Sequence, residues 1–251
     1  MPLFRSANPT LREDVFQPSL HVEGEGKMTI RGTLAKTAFL LLMVLCSAVY
    51  SWSLWSRGMN VTPYMYGGIL GGFVVAIVIV FKKNWSGYLA PAYCLFEGLF
   101  LGAVSAMFNH YFAEKAPFIV IQAVGLTFGT AIAMLLLYGS RIIRPTQKFK
   151  LIVFSATLGI GVFYFISILL RFFGIDIAFI HEGSPLGIVF SLIVVAIAAL
   201  NLVMDFELIE KGSREGAPQY MEWYAAFGLM VTLIWLYIEI LRLLAKLYSR
   251  R

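Results

Sequence analysis

Charge is scarce in this sequence. Asp, Glu, Lys and Arg make up 14 % of its 251 residues, where a soluble domain carries about a quarter, so there are too few charged side chains to clothe a water-facing surface. Cysteine is scarcer still: Cys46 and Cys94 are the only two. Both lie in apolar runs and read as buried free thiols, which gives neither a disulfide framework nor a metal site. Also missing are a Gly-x-Ser-x-Gly or His-Glu-x-x-His pattern, a Gly-rich phosphate loop and a nucleophile set beside a base. These absences argue against an enzyme and against a resident cofactor. The formal net charge of +6 is spread over short loops, an arrangement that orients membrane proteins rather than one that grips nucleic acid.

What is abundant is apolar. Hydrophobic residues make up 59 % of the chain and its mean hydropathy is +0.80, the composition of an integral membrane protein in contact with a lipid bilayer. A helical span needs about 20 apolar residues. Seven stretches meet or approach that length, roughly 37–56, 64–81, 87–108, 117–139, 150–171, 185–206 and 223–247, separated by Pro63, Lys82 with Lys83, Pro117, Arg141 to Pro145, Gly174 with Pro185, and Gly212 to Pro218. The chain therefore divides into a polar tail over 1–35, expected to be mostly disordered, and a single transmembrane domain over 36–251. The tail has no apolar signal-peptide core.

Basic residues collect in the tail and in alternate loops, at Arg5, Arg12, Lys27, Arg31 and Lys36, at Lys82 and Lys83, at Arg141, Arg144, Lys148 and Lys150, and at Lys211 and Arg214. The positive-inside rule then puts the N-terminus in the cytoplasm. After seven complete spans the other end lies outside, yet it carries Arg242, Lys246, Arg250 and Arg251. Either the last segment returns to the cytoplasm or its charge is tolerated outside. Trp52, Trp55, Tyr64, Tyr66, Trp85, Tyr88, Trp223 and Tyr224 cluster at predicted borders as an interfacial belt. Gly68 with Gly72, Gly98 with Gly102, and Gly125 with Gly129 have the small-xxx-small spacing that lets helices pack closely within the chain.

The most informative residues are two acids, Asp205 and Glu239, set in the last two apolar stretches. A carboxylate in hydrocarbon costs about 2.5–3.5 kcal/mol even on lenient scales, so two of them point to a task. The competing reading makes Asp205 a solvated acid near the end of its span and Glu239 an intrahelical partner of Arg242 at i+3. Glu97 and Arg242 are candidate cavity-lining residues. His110 and His181 read as wet surface histidines.

Several of these residues resemble the Bax inhibitor family of multispanning membrane proteins, and within it a bacterial branch. The resemblance runs from about residue 28 to 247. It rests on Glu97-Gly98-Leu99-Phe100-Leu101-Gly102, on Asn201-Leu202-Val203-Met204-Asp205 leading to Glu207, and on Leu236-Tyr237-Ile238-Glu239. Ser6-Ala7-Asn8-Pro9 and Met28-Thr29-Ile30-Arg31-Gly32-Thr33 in the tail add to it. The resemblance implies an all-α seven-helix transmembrane bundle with the last helix central, in a bacterial cytoplasmic membrane. It further implies a pH-sensitive calcium leak in which two facing acids share a proton and a basic residue from the second span acts as a latch. Asp205 falls on the first acid and Glu239 on the second, where the family often has Asp. Lys82 and Lys83 fall near the latch, where the family favours Arg.

Two carboxyls about 4–6 Å apart in a dry bundle cannot both ionise cheaply, so they hold one proton between them and titrate as a pair. Its loss leaves anionic oxygens of the kind calcium prefers, making Asp205 and Glu239 transient calcium ligands and calcium the permeant ion. Depth is the obstacle. Counted from Trp223, Glu239 lies about 24 Å along its helix, whereas Asp205 precedes the Gly212 turn by only seven residues. The alternative function is an interaction protein that regulates other membrane proteins, such as a protease, without moving ions.

Overall fold

A computed structural model of the chain describes residues 26–174 and 183–250. Among the described residues there are seven helices long and apolar enough to cross a membrane: α1 Ile30–Ser56, α2 Thr62–Phe81, α3 Ser86–Tyr111, α4 Ile119–Gly139, α5 Gln147–Phe172, α6 Pro185–Glu215 and α7 Met221–Ser249. One 3-10 turn, Lys83–Trp85, joins α2 to α3. The chain is an all-α, multi-pass membrane protein. Burial is distributed unequally: 67 % of the apolar stretch of α7 is buried, against 50 % or less in every other helix, which is what a central last helix requires.

The helices form two compact units. One contains α1, α2 and α3 with Glu207–Val231, and the other contains Phe112–Phe206 with Thr232–Arg251. In the first, α3 packs on both α1 and α2, and the glycines explain how. A side chain at Gly98 or Gly102 would run into α1 at Ser47, the Val44 carbonyl and Ala48, and one at Gly68 would come within 2.6 Å of the Phe96 carbonyl. Backbone approaches this close are available only to glycine. Gly125 and Gly129 of α4 behave otherwise, for a side chain there would meet nothing within 4 Å. Contrary to expectation, this pair does not close a helix seam among the described residues.

Helix ends also depart from the expected positions. Residues 1–25 of the expected disordered tail lie outside the described residues, as does His181, but α1 already begins at Ile30. Thr29 caps it, its hydroxyl accepting the Gly32 N–H at 2.9 Å. At the other end of the chain α6 continues through Gly212 to Glu215, and the turn falls instead at Gly216, whose φ of +72° suits the residue that ends a helix. Glu207, Glu210, Lys211 and Arg214 look like a loop in sequence, yet Lys211–Glu215 and Arg214–Glu210 pair at i,i+4 spacing along the helix. Cys46 is exposed on the apolar surface and only Cys94 is buried; both are free thiols.

Candidate functional site

Asp205 and Glu239 are both buried, at 0 % and 1 % exposure, on α6 and α7 of the same unit. Asp205 is thus no solvated acid at the end of a span, since α6 runs ten residues beyond it. Glu239 is embedded in a polar cluster. Arg242, one turn further along α7, donates from Nη1 to Glu239 Oε1 at 3.0 Å and to the Tyr164 hydroxyl of α5 at 2.8 Å. The Tyr164 hydroxyl lies 3.1 Å from each carboxylate oxygen, so it can donate to Glu239 while accepting from Arg242. Glu239 therefore has the i+3 partner that its spacing suggested. The Arg242 side chain keeps 34 % of its exposure while that of Glu239 keeps 2 %, so the pair is open on the cationic side alone.

Lys246 extends this face of α7. It is 3 % exposed and donates to the Gly187 carbonyl at 3.0 Å and the Ser191 hydroxyl at 2.8 Å on α6. Toward Asp205, Asn201 donates to Thr157 of α5 at 2.8 Å. Counted in helix rise, these contacts give the levels of the two acids' backbones. Thr157 and Tyr164 are seven residues apart on α5, and Asp205 lies four residues beyond Asn201 in the opposite sense, because consecutive spans run antiparallel. The α5 contacts thus separate Glu239 from Asp205 by about 16 Å along the bundle axis. Counting from Ser191 and Lys246 instead gives about 10 Å. The two acids thus sit at different backbone levels of the same unit.

The expected latch residues follow α2. Lys82 is exposed beyond the end of α2, and Lys83 places its ammonium 5.8 Å from the centre of the Tyr224 ring at the start of α7. Tyr224 is fully buried and so does not serve in an interfacial belt, whereas Trp223 is half-buried and packs edge-on against Phe39 at 6.0 Å. Tyr66, Trp85 and Tyr88 are exposed, as a place in that belt would require. Glu97 is half-buried, accepts a hydrogen bond from Tyr93, and lies over Gly72, where a side chain would come within 2.7 Å of its Oε1. It lies at the seam between α2 and α3.

One buried acid escaped the sequence reading. Glu222, 2 % exposed in the first turn of α7, accepts the Thr29 N–H at 2.8 Å and the Thr29 hydroxyl at 2.9 Å, and it forms an ion pair with Lys36. The available signal was Thr29-x-x-Gly32, a helix start with a capping hydroxyl but no acid three residues on. Among the described residues no three His, Cys, Asp or Glu side chains come together to hold a metal ion.

An all-α chain of seven membrane-length helices with buried acids on the last two sits squarely with the motifs read from its sequence. A family model described as Bax inhibitor 1 like matches residues 8–249. The chain belongs to the Bax inhibitor 1-like family. The match takes in all seven helices, both buried acids and the Glu222 contacts of this family member. No curated protein and no solved structure matches the chain.

Proposed function

We propose that this Bax inhibitor 1-like protein is a pH-sensitive calcium leak of a bacterial cytoplasmic membrane, with its N-terminus in the cytoplasm and no enzymatic activity. The observation that carries the reading is the complete burial of Asp205 and Glu239 within helices of membrane length, where an acid without a task is selected against by its cost. The two acids act in series. Asp205 is the proton-gated station: protonated, it is compatible with an apolar surround, and ionised, it offers oxygen ligands to a passing divalent cation. Glu239 is the second station, held by Arg242 and Tyr164, and calcium competes with Arg242 for its carboxylate. Loss of protons as pH rises increases the negative charge along this route and favours calcium passage.

Calcium flux into liposomes containing the purified protein, compared at pH 6 and pH 8, tests the reading. Greater flux at the higher pH, with the difference flattened by Asp205→Asn, is the expected result. Equal flux at both values, or none above protein-free vesicles, rejects it.

The alternative, a membrane interaction protein that regulates partners such as a protease, is favoured by the open Gly125 and Gly129 face of α4, onto which another helix could pack closely. A protein acting only in this way shows no flux but loses partner binding on Gly125→Leu.

A further inference from the structure

Thr29 begins α1 as the first half of a capping box. In that motif the capping hydroxyl binds the N–H three residues on, and an acid at that third position returns a bond to the N–H of the cap. Here the third position is Gly32, and the returning acid is Glu222, from the first turn of α7: it accepts the Thr29 N–H and hydroxyl at 2.8 and 2.9 Å. The glycine makes room for it, because a side chain at Gly32 would overlap the Glu222 carboxylate. Glu222 thus supplies the missing acid from 193 positions away along the chain. It lies at the positive ends of two helices, its own and α1, where a negative charge is favoured.

Other contacts bind the same segment to the same turn. The Met28 N–H donates to the Ala217 carbonyl at 2.7 Å, and Lys27 pairs with Pro218 in a single β-bridge. Lys36 reaches Glu222 and lies 5.4 Å from the centre of the Trp223 ring. Met28 is fully buried, whereas Lys27, Thr29, Ile30 and Arg31 are exposed. The segment is therefore held by the buried Met28 and Thr33 and by a set of polar contacts whose outer side is open. Such a segment can be released locally, with Met28 and Thr33 leaving their places, while the middle of the helices stays packed.

We propose that Lys27–Lys36 is a releasable strap and that the Glu222 carboxylate is its receptor, so that the N-terminal ends of α1 and α7 open and close as one cooperative unit. A binding partner or force acting on the chain before residue 27 would thereby be felt at the start of α7. The proposal stands apart from the ion-leak reading, and its readout is structural.

Amide hydrogen exchange on the full-length protein in detergent or nanodiscs tests it. Glu222→Ala is expected to speed exchange over residues 29–34 and 221–226 together, by about tenfold or more, while the middle of α3 is unchanged. Gly32→Glu combined with Glu222→Ala restores the capping box within α1. It is expected to recover protection at 29–34 and leave 221–226 fast. Recovery of both ends in that double variant would show that the carboxylate is not the link and would overturn the proposal, as would exchange that rises at one end alone in Glu222→Ala. Should Glu222→Ala fail to fold, Lys36→Met decides on the same amides: faster exchange at both ends supports the strap, and unchanged exchange rejects it.

Discussion

The carboxylate of Glu239 is held by the guanidinium of Arg242, 3.0 Å away and one turn further along the same helix. This relationship gives the acid a charge partner within α7 itself, and it separates the tasks of the two buried acids. Removal of Arg242 would leave Glu239 as an uncompensated charge. Breaking a fully buried pair costs about 3–5 kcal/mol, and the partial exposure of Arg242 lowers the expectation to about 2 kcal/mol. Arg242→Met should therefore lower the melting temperature in detergent, and Glu239→Gln added to it should recover most of the loss. A double variant no more stable than Arg242→Met alone would mean that the pair contributes little.

Separation along the axis makes a second prediction about flux. Sites more than about 7–10 Å apart with no shared partner act additively. Asp205→Asn and Glu239→Gln should each alter the pH response of calcium flux, and the double variant should show the product of the two fold-changes. A double variant no different from either single one would favour a single proton shared by the two acids.

Glycine substitutions should divide by helix. Gly98→Leu and Gly102→Leu drive side chains into α1 and should abolish folded protein, whereas Gly125→Leu should leave its yield and thermal stability within about 0.5 kcal/mol of the parent. Equal damage at Gly98 and Gly125 would show that the face of α4 is packed.

Orientation is open to direct labelling. In a Cys46→Ala, Cys94→Ala background, single cysteines at Asn8, Lys82 and Lys148 should all react with a membrane-impermeant maleimide from the cytoplasmic side. Labelling of Lys82 and Lys148 positions from opposite faces would overturn the proposed topology.

Span number and order were legible because hydropathy is a local property, integrated over about 20 residues. The helix ends were less so. The charges of Glu207 to Arg214 resemble a loop, and only the i,i+4 pairs that they form reveal that α6 continues. Similarly, α1 begins in a charged stretch because Glu222 supplies what its own sequence lacks. Of the candidate site, burial of Asp205 and Glu239 was legible from their apolar neighbours. Their difference in level was foreshadowed by counting from Trp223 and Gly212, whereas the partners of Glu239 on α5 were not, because they depend on the register of α5 against α7. Glu222 was hidden for a related reason: its role is defined wholly by residues at the far end of the chain. The thiol of Cys46 shows the converse error, since an apolar neighbourhood in a membrane protein can equally face lipid.

The concentration of burial in α7 bears on how the molecule is made. This helix carries Glu222, Glu239, Arg242 and Lys246, each of which opposes entry into lipid, and it follows the other six in order of synthesis. During translation the earlier helices must wait in the bilayer with the surfaces meant for α7 still exposed. A chain halted before Met221 would remain in that state, with apolar and polar seams uncovered, and would be a natural target for membrane quality control.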